Sequence, residues 1–332
     1  MNTKILNNKT VLITGGTGSF GRHFAKFLLE NNRLKKLIIF SRDELKQFQM
    51  RQEMRDDRLR FFLGDIREPD RLQRAFHGVD YVIHAAALKQ VPTLEYNPFE
   101  AIKTNILGSH NVINAAIDQK VKKVVLVSSD KAAHPVNLYG ATKLCAEKLF
   151  TGGNVYAWKK TKLCSVRYGN VIGSRGSVVE TLLNNKEVER VQITDRQMTR
   201  FWITLKQAAD LVMFALENME GGEIFVPKIP SMKLVDLFDA LAPNAKKEII
   251  GIRPGEKLHE ILLTEQEALH TIELKEHFVI IPEYLSQDRL KKDKFSKYFK
   301  NSKKVKNDFR FTSNTNKEWL SGKDLKVLLT KK

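Results

Sequence analysis

Short apolar runs recur along the first half of the chain, each followed by polar or glycine-rich residues and then by a segment of helical period. Val11 to Ile13, Lys36 to Phe40, Leu59 to Leu63, Tyr81 to Ile83, Lys123 to Val127 and Leu163 to Tyr168 read as strands. The first is short and β-branched, as a strand buried on both faces of a parallel sheet should be. After it, Phe20, Phe24, Phe27 and Leu28 recur at helical spacing and predict a helix over residues 20–30. Strand and helix patterns alternate in this way through to Phe150. That rhythm predicts an α/β protein, a doubly wound parallel sheet with right-handed crossovers. Beyond it the loops become polar and glycine-rich. A smaller C-terminal α/β lobe is expected there, so residues 1–170 form a nucleotide-binding domain. Residues 171–332 form mainly a substrate-binding lobe and tail, with later segments crossing back.

The first strand runs into KTVLITGGTGSFG, where Gly15, Gly18 and Gly21 are spaced G-x-x-G-x-x-G. Glycines between a strand and a helix allow a tight turn and let backbone approach a pyrophosphate at the helix N-terminus. This is the dinucleotide-binding turn of a Rossmann sheet. The second strand ends in Ser41, Arg42 and Asp43. An arginine there suits a 2′-phosphate and an acidic residue suits ribose hydroxyls. Ser41 and Arg42 come first, which favours NADP; Asp43, one step later, keeps NAD as the alternative. Asp65 follows the third strand, where it could meet an adenine amino group. The small-residue stretch HAAALK, His84 to Lys89, follows the fourth. Gly15, Arg42, Asp65, Ala85 and Ser128 to Lys131 all fall at strand ends, where sheets of this kind bind ligands.

Tyr139 and Lys143 are four residues apart and share one helix face. An ammonium beside a phenol favours the phenolate and lowers its pKa. Such a tyrosine can take a proton from a sugar or alcohol hydroxyl during hydride transfer. Asp130 and Lys131 add a second acid/base pair, which a simple dehydrogenase does not need. Later, Gly169 to Ser177, Ile193 to Asp195, Met198 to Ile203 and Gly251 to Lys257 read as loops and strands of a lid. Arg253 suits bidentate diphosphate binding, and Glu256 suits sugar or ribose hydroxyls.

Composition narrows the partners. The formal net charge is +18, and part of it lies in residues 289–306 at Lys291, Lys292, Lys294, Lys297, Lys300, Lys303, Lys304 and Lys306. No DNA-binding motif accompanies that stretch. It is expected to be a solvated basic loop whose field helps to capture an anionic substrate, and no nucleic acid is expected. No apolar run reaches membrane-span length and no signal peptide is evident, so a cytoplasmic protein without stable membrane insertion is expected. Cys145 and Cys164 lie in apolar patterns and are expected as reduced core residues. The eight histidines are scattered, so no metal site is expected.

TGGTGSFG, FSRDELK, HAAALK, SSDKAAHPVNLYGATK, RYGNVIGSRGSV, MTRFWIT, GGEIFVPKIPSMK and IIGIRPGEKLHE occur in this order. Together they resemble the extended short-chain dehydrogenase/reductase family over residues 9–263. Within it they are most similar to the inverting UDP-N-acetylglucosamine 4,6-dehydratases, which open pseudaminic acid biosynthesis. The doublet Asp130-Lys131 with NLYGATK is the most discriminating piece. Epimerases carry a small residue with Ser or Thr there, and hexose 4,6-dehydratases carry Asp-Glu.

The resemblance implies tightly bound NADP, regenerated at each turnover, and UDP-N-acetylglucosamine as substrate. Tyr139 with Lys143 would deprotonate O4, Lys131 would act as base at C5, and Asp130 would protonate the departing 6-hydroxyl. A lysine base needs its pKa lowered towards neutrality. The product would be UDP-2-acetamido-2,6-dideoxy-β-L-arabino-hex-4-ulose, on the way to glycosylated flagellin, capsule or lipopolysaccharide. Implied cofactor contacts are Gly15, Thr17, Gly18, Ser19, Phe20 and Gly21; Ser41, Arg42, Asp43, Glu44, Leu45 and Lys46; and Asp65, Ile66, Ala85, Lys89, Thr104, Tyr139, Lys143 and Val171. Implied substrate contacts are Lys89, Asn170, Arg175, Thr199, Arg253 and Glu256. The resemblance also implies a homo-oligomer, a hexamer, paired through helices around 104–119 and 139–150, and a pyridoxal-phosphate aminotransferase that consumes the keto-sugar.

The chain departs from the inverting pattern at four positions. Gln90 stands for His, as in the related capsular UDP-N-acetylglucosamine dehydratases, and Ser129, His134 and Gln197 stand for Thr, Asn and Arg. A retaining 4,6-dehydratase, a 4-epimerase and a non-catalytic NADP-binding scaffold are the alternatives.

Overall fold

The alternation of buried side chains along β1 (Thr10–Thr14) sets up the two faces of the protein. Val11 and Ile13 enter one apolar core, with Phe24, Leu28, Val212 and Leu216. Leu12 between them enters the other, with Phe76, Val112 and Phe150. A strand covered on both faces has no room for polar residues, which explains the unbroken apolar runs in the sequence. The structure, a computed structural model, describes residues 3–157, 160–185, 188–283, 293–300 and 302–330.

Five more strands run parallel to β1: β2 (Lys36–Ser41), β3 (Leu59–Leu63), β4 (Tyr81–His84), β5 (Lys123–Val127) and β6 (Lys162–Val166). Their order in the sheet is β3-β2-β1-β4-β5-β6. The order reverses between β1 and β4, and a crevice opens at the carboxyl ends there. This is the expected doubly wound Rossmann sheet. The sixth strand stops at Val166, short of the expected Tyr168.

The smaller lobe is built from β7 (Asn170–Val171), β9 (Thr199–Ile203) and β11 (Ser231–Lys233), with β8 (Arg190–Ile193) paired to β12 (Lys246–Ile249). Its own core gathers Ile193, Trp202, Met232, Leu237 and Leu325. The chain does not stay there. β10 (Ile224–Pro227) returns to pair with β6. Two further strands, β14 (Thr271–Glu273) and β15 (His277–Ile280), extend the sheet in antiparallel fashion, whereas β13 (Ile261–Leu263) pairs outside it, with Phe311–Thr312. The sheet ends at β16 (Lys303–Lys304), giving ten strands among the described residues. The helix Leu205–Asn218 also joins the core of the large sheet, through Leu211, Val212 and Leu216.

Two expectations need correcting or completing. Cys145 is exposed rather than in the core: its helix, Leu138–Gly153, turns Thr142, Lys143, Ala146, Glu147 and Phe150 inward and leaves position 145 outside. Of the basic stretch, Lys291 and Lys292 lie outside the described residues. Lys297 pairs with Glu220, Lys294 donates to the Gly221 carbonyl, and Lys303 and Lys304 form the edge strand β16. A lysine-bearing edge discourages strand addition. Among the described residues, no helix is long and apolar enough to cross a membrane.

Candidate active site

A cleft of about 700 Å³ opens at the carboxyl ends of β1, β2, β4 and β5. Gly15 forms its floor, with φ +65°, and a Cβ there would stand 2.8 Å from the Ala86 backbone. Only glycine tolerates both the dihedral and the close approach. Thr17, Gly18, Ser19, Phe20 and Gly21 continue the wall where the helix Ser19–Asn31 begins.

At the end of β2, Ser41, Arg42, Asp43 and Lys46 line the cleft, whereas Glu44 and Leu45 do not. Asp43 is occupied: its carboxylate accepts from the Lys46 backbone nitrogen at 2.9 Å, capping the helix Glu44–Glu53, and from the Lys46 ammonium. Arg42 leans on Asp65, Nη1 to Oδ2 3.3 Å, and Arg67 meets the same carboxylate at 2.7 Å. Burial works against the Asp65 charge, but Arg67 and Arg42 hold its carboxyl below the usual range. Ile66, Ala85 and Lys89 lie further along the wall. Thr104 and Ser128 also line it, and each carries a buried hydroxyl with no hydrogen-bond partner. Unpaired buried hydroxyls, a glycine floor and cationic side chains at the β2 end fit a dinucleotide.

The chemical residues come from β5 and the helix after it. Asp130 to Ala132 form a single tight turn, capped by Ser129. The helix Leu138–Gly153 starts at Asn137, whose Oδ1 accepts from the Gly140 nitrogen at 2.8 Å. At Gly140 any Cβ would overlap the Lys131 carbonyl oxygen, so glycine lets this helix lie directly against the turn. Tyr139, Lys143 and Lys131 thereby share one wall of the cleft.

Lys131 Nζ stands 3.1 Å from Asp130 Oδ1 and 3.1 Å from Glu260 Oε1. Burial works against its charge, but the two carboxylates outweigh it and raise the pKa above that of a free lysine. The resting site therefore holds an ammonium, not the lowered lysine expected of a ready base. Asp130 is 0% exposed and does not line the cleft. It was expected to meet the substrate directly; it stands behind Lys131 instead. Burial pushes its carboxyl up, and Glu260 adds to this. Its Oδ2 has no partner. Tyr139 also differs from expectation: burial raises the phenol, and the cation that opposes this is Lys131 rather than Lys143. Lys143 donates to the Val127 carbonyl, and burial lowers it to about 8.

The residues expected at the substrate divide into two groups. Lys89, Asn170 and Arg175 line the cleft, as does Val171, which was expected at the cofactor. The Arg175 backbone is held from both sides: its nitrogen donates to Ser19 Oγ at 2.9 Å, and its carbonyl accepts from Lys89 Nζ at 3.0 Å. Thr199, Arg253 and Glu256 lie outside the lining. The Thr199 hydroxyl is buried between His259 Nδ1 and Ser313 Oγ. Arg253 is exposed, 3.4 Å from Gln192 Oε1, on the turn before Glu256.

The polysaccharide biosynthesis protein family is matched over residues 11–282. The chain belongs to this family of extended short-chain dehydrogenases/reductases. A UDP-N-acetylglucosamine 4,6-dehydratase (inverting) of Campylobacter jejuni is 49% identical over 324 residues, 97% of each chain. A UDP-glucose 4-epimerase of Rickettsia rickettsii is 44% identical, covering 82% of this chain and 83% of that one. The crystal structure of Pen from Bacillus thuringiensis superposes with a TM-score of 0.88 at 41% identity, covering 98% of both chains.

Four site residues of this family member escaped the sequence reading. Asn105 is buried and clamps HAAALK, accepting from the Leu88 nitrogen at 2.8 Å and donating to its carbonyl at 2.9 Å and to Thr142 Oγ1 at 3.0 Å. Glu260 is 2% exposed and closes the far side of Lys131. Arg200 and Lys257 flank it, at 3.8 and 3.5 Å. Lys257 also donates to the Ala133 carbonyl, and Asn137 Nδ2 to that of Gly255, each at 2.7 Å, so the Gly255–Lys257 segment is bonded to the chain that follows the Asp130 turn. Among the described residues, no cluster of three or more potential metal ligands is present.

Proposed function

We propose that the chain is an NADP-dependent UDP-N-acetylglucosamine 4,6-dehydratase, a hydro-lyase that inverts C5 and starts a pseudaminic acid type of pathway. The observation that carries this reading is Lys131: it faces the cleft beside Tyr139 with a carboxylate 3.1 Å away on either side. A 4-epimerase moves one proton and one hydride at C4, for which Tyr139 suffices. Loss of water across C5 and C6 needs a second proton-handling group.

The engaged Asp43 and the cleft-lining Ser41, Arg42 and Lys46 favour NADP over NAD. When bound, NADP supplies a reversible hydride acceptor for the hydrogen that leaves C4 and returns at C6. Thr104, Ser128 and the Gly15 turn would hold it.

Tyr139 takes the proton from the 4-hydroxyl, with the Lys131 cation favouring its phenolate. The ketone formed at C4 acidifies C5. Moving one proton from Lys131 Nζ to Asp130 Oδ1 turns the ion pair into a neutral amine and a carboxylic acid without changing net charge. The amine takes the C5 proton, and Lys131, resupplied by Asp130, protonates the departing 6-hydroxyl. Two protons leave the sugar, from O4 and C5. Two are returned, one through Lys131 to the leaving hydroxyl and the one Tyr139 took from O4 to the opposite face of C5, so water departs and the residues regain their starting charges.

A homo-oligomer pairing through the helices of residues 104–119 and 139–150 belongs to the same reading, as does a hexamer. So does a cytoplasmic site of action, with an aminotransferase consuming the keto-sugar. The second reading, a 4-epimerase, rests on the Rickettsia relative. Gln90, which lines the cleft, keeps a C5-retaining dehydratase as a variant of the first. The Lys131→Ala variant tests the assignment. It should reduce bound NADP⁺ more slowly on mixing with UDP-N-acetylglucosamine, since the Tyr139 phenolate loses its cation, yet fail altogether to exchange the C5 hydrogen with solvent deuterium. Near-normal C5 exchange would remove Lys131 from this role.

A further inference from the structure

Two carboxylates compete for one ammonium at the catalytic turn. Asp130 has Lys131 as its cationic partner and accepts from Ser129 Oγ at 2.9 Å. Glu260 has three cations: Lys131 at 3.1 Å, Lys257 at 3.5 Å and Arg200 at 3.8 Å. Both carboxylates are buried, so little solvent screens the competition. The side with more cations keeps the negative charge, so when the C5 proton recharges Lys131, the proton that Lys131 had passed to Asp130 stays on that carboxylate.

We propose that Glu260 is a positioning residue for the C5/C6 chemistry: it balances the Lys131 charge from the small-lobe side, so that Asp130 holds the transferable proton. The inference deepens the dehydratase reading and rests on it. It gives the second lobe a chemical function beyond covering the cleft. Glu260 reaches the turn only when the segment Lys257–Glu260 is seated, through Lys257 on the Ala133 carbonyl and Ser313 Oγ on the Glu260 nitrogen at 2.9 Å.

The titration of the groups agrees in direction. Burial opposes the Glu260 charge, but Lys131, Arg200 and Lys257 hold its carboxyl at about 2. Asp130 goes the other way, up, through burial and through Glu260 itself. The charged and titratable groups facing this cluster are Asp130 and Lys131 on the turn, Tyr139 on its helix, Arg200 on β9, and Lys257. Removing the Glu260 charge leaves Asp130 as the nearest anion to Lys131. Asp130 then ionises at lower pH, and the proton that Lys131 needs is lost.

The test is Glu260→Gln in the full-length enzyme, with C4 oxidation followed as reduced-nicotinamide fluorescence and water loss followed as the C6 methyl signal. The expected result is a split. C4 oxidation stays near the wild-type rate, reduced cofactor accumulates, and water loss falls by about a hundredfold. The alkaline limb of water loss moves to lower pH, while that of C4 oxidation stays. Glu260→Asp, which keeps the charge on a shorter arm, should recover most of the water loss. If Glu260→Gln does not fold, Glu260→Ala replaces it: a fall in water loss with C4 oxidation intact supports the role, and an equal fall in both, or a fall in neither, overturns it. Unchanged water loss, or an equal fall in both steps with unmoved limbs, in Glu260→Gln overturns it while leaving the dehydratase reading intact. A wild-type enzyme that forms no 6-methyl product overturns both.

Discussion

Lys143 donates its ammonium proton to the carbonyl of Val127, the last residue of β5, across 2.7 Å. This bond fixes the lysine at the strand end, one helical turn beyond Tyr139. Burial lowers it to about 8, so its charge is lost as pH rises through that value. An activity that needs the ammonium should fall over the same range. Lys143→Arg keeps its charge and should lose that alkaline limb. Lys143→Met should abolish turnover yet stabilise the fold by ~1–3 kcal/mol, because the native state no longer holds a charge it disfavours. Rate–pH profiles and thermal melts check both.

Tyr139→Phe removes a hydroxyl and leaves the packing. C4 oxidation should slow by about 10²–10⁴-fold while cofactor affinity and melting temperature hold. Stopped-flow fluorescence of reduced nicotinamide measures the first and calorimetry the others. A variant that oxidises C4 at the wild-type rate would remove Tyr139 from the proton path.

Arg167 lies fully buried behind the helix Leu138–Gly153, bonded to Glu147 at 2.6 Å and Glu267 at 2.8 Å. Arg167→Met strands two carboxylates and should cost about 3–5 kcal/mol in urea denaturation. Burial raises Glu267, but Arg167 outweighs it, and the net shift is downward from 4.5. A depressed carboxyl contributes stability that is complete above the unfolded value. That contribution should therefore be present above pH 4.5 and lost progressively below it. Glu267→Gln should flatten the acid side of the stability profile.

Arg42 is the cation nearest the end of β2, and it lines the cleft. Arg42→Ala should weaken NADP by about tenfold or more and leave NAD nearly unchanged, the difference being one charged hydrogen-bonding partner. Equal loss for both cofactors in a titration by fluorescence would argue against a 2′-phosphate contact.

What the sequence made legible follows from range. The glycine turn at Gly15, the apolar strand runs and the Tyr139/Lys143 spacing are local, and each is found where it was read, apart from the early end of the sixth strand at Val166. The charge state of Lys131 was not legible, because Glu260 and Arg200 reach it from the other lobe. Glu260 sits in the segment GEKLHE, yet nothing in its spacing marks it as a partner of a residue so far upstream. Asp130 is adjacent to Lys131 in sequence, and only the tight turn at Ser129 shows that one faces the cleft and the other the interior. The returning strands β10, β14 and β15 are three or four residues long, too short for a clear period. The exposure of Cys145 depends on which face of its helix meets the sheet, which an apolar neighbourhood alone does not reveal.

If Lys131, facing the cleft between Asp130 and Glu260, handles the C5 proton as proposed, the enzyme removes water from its sugar. Proton NMR of the purified protein with UDP-N-acetylglucosamine in D₂O, without added cofactor, tests it most directly. The expected result is a new C6 methyl signal, deuterium at C5, and ring couplings of the C5-inverted sugar. A C4 epimer with no methyl signal, or no change even after NADP⁺ is supplied, would contradict it.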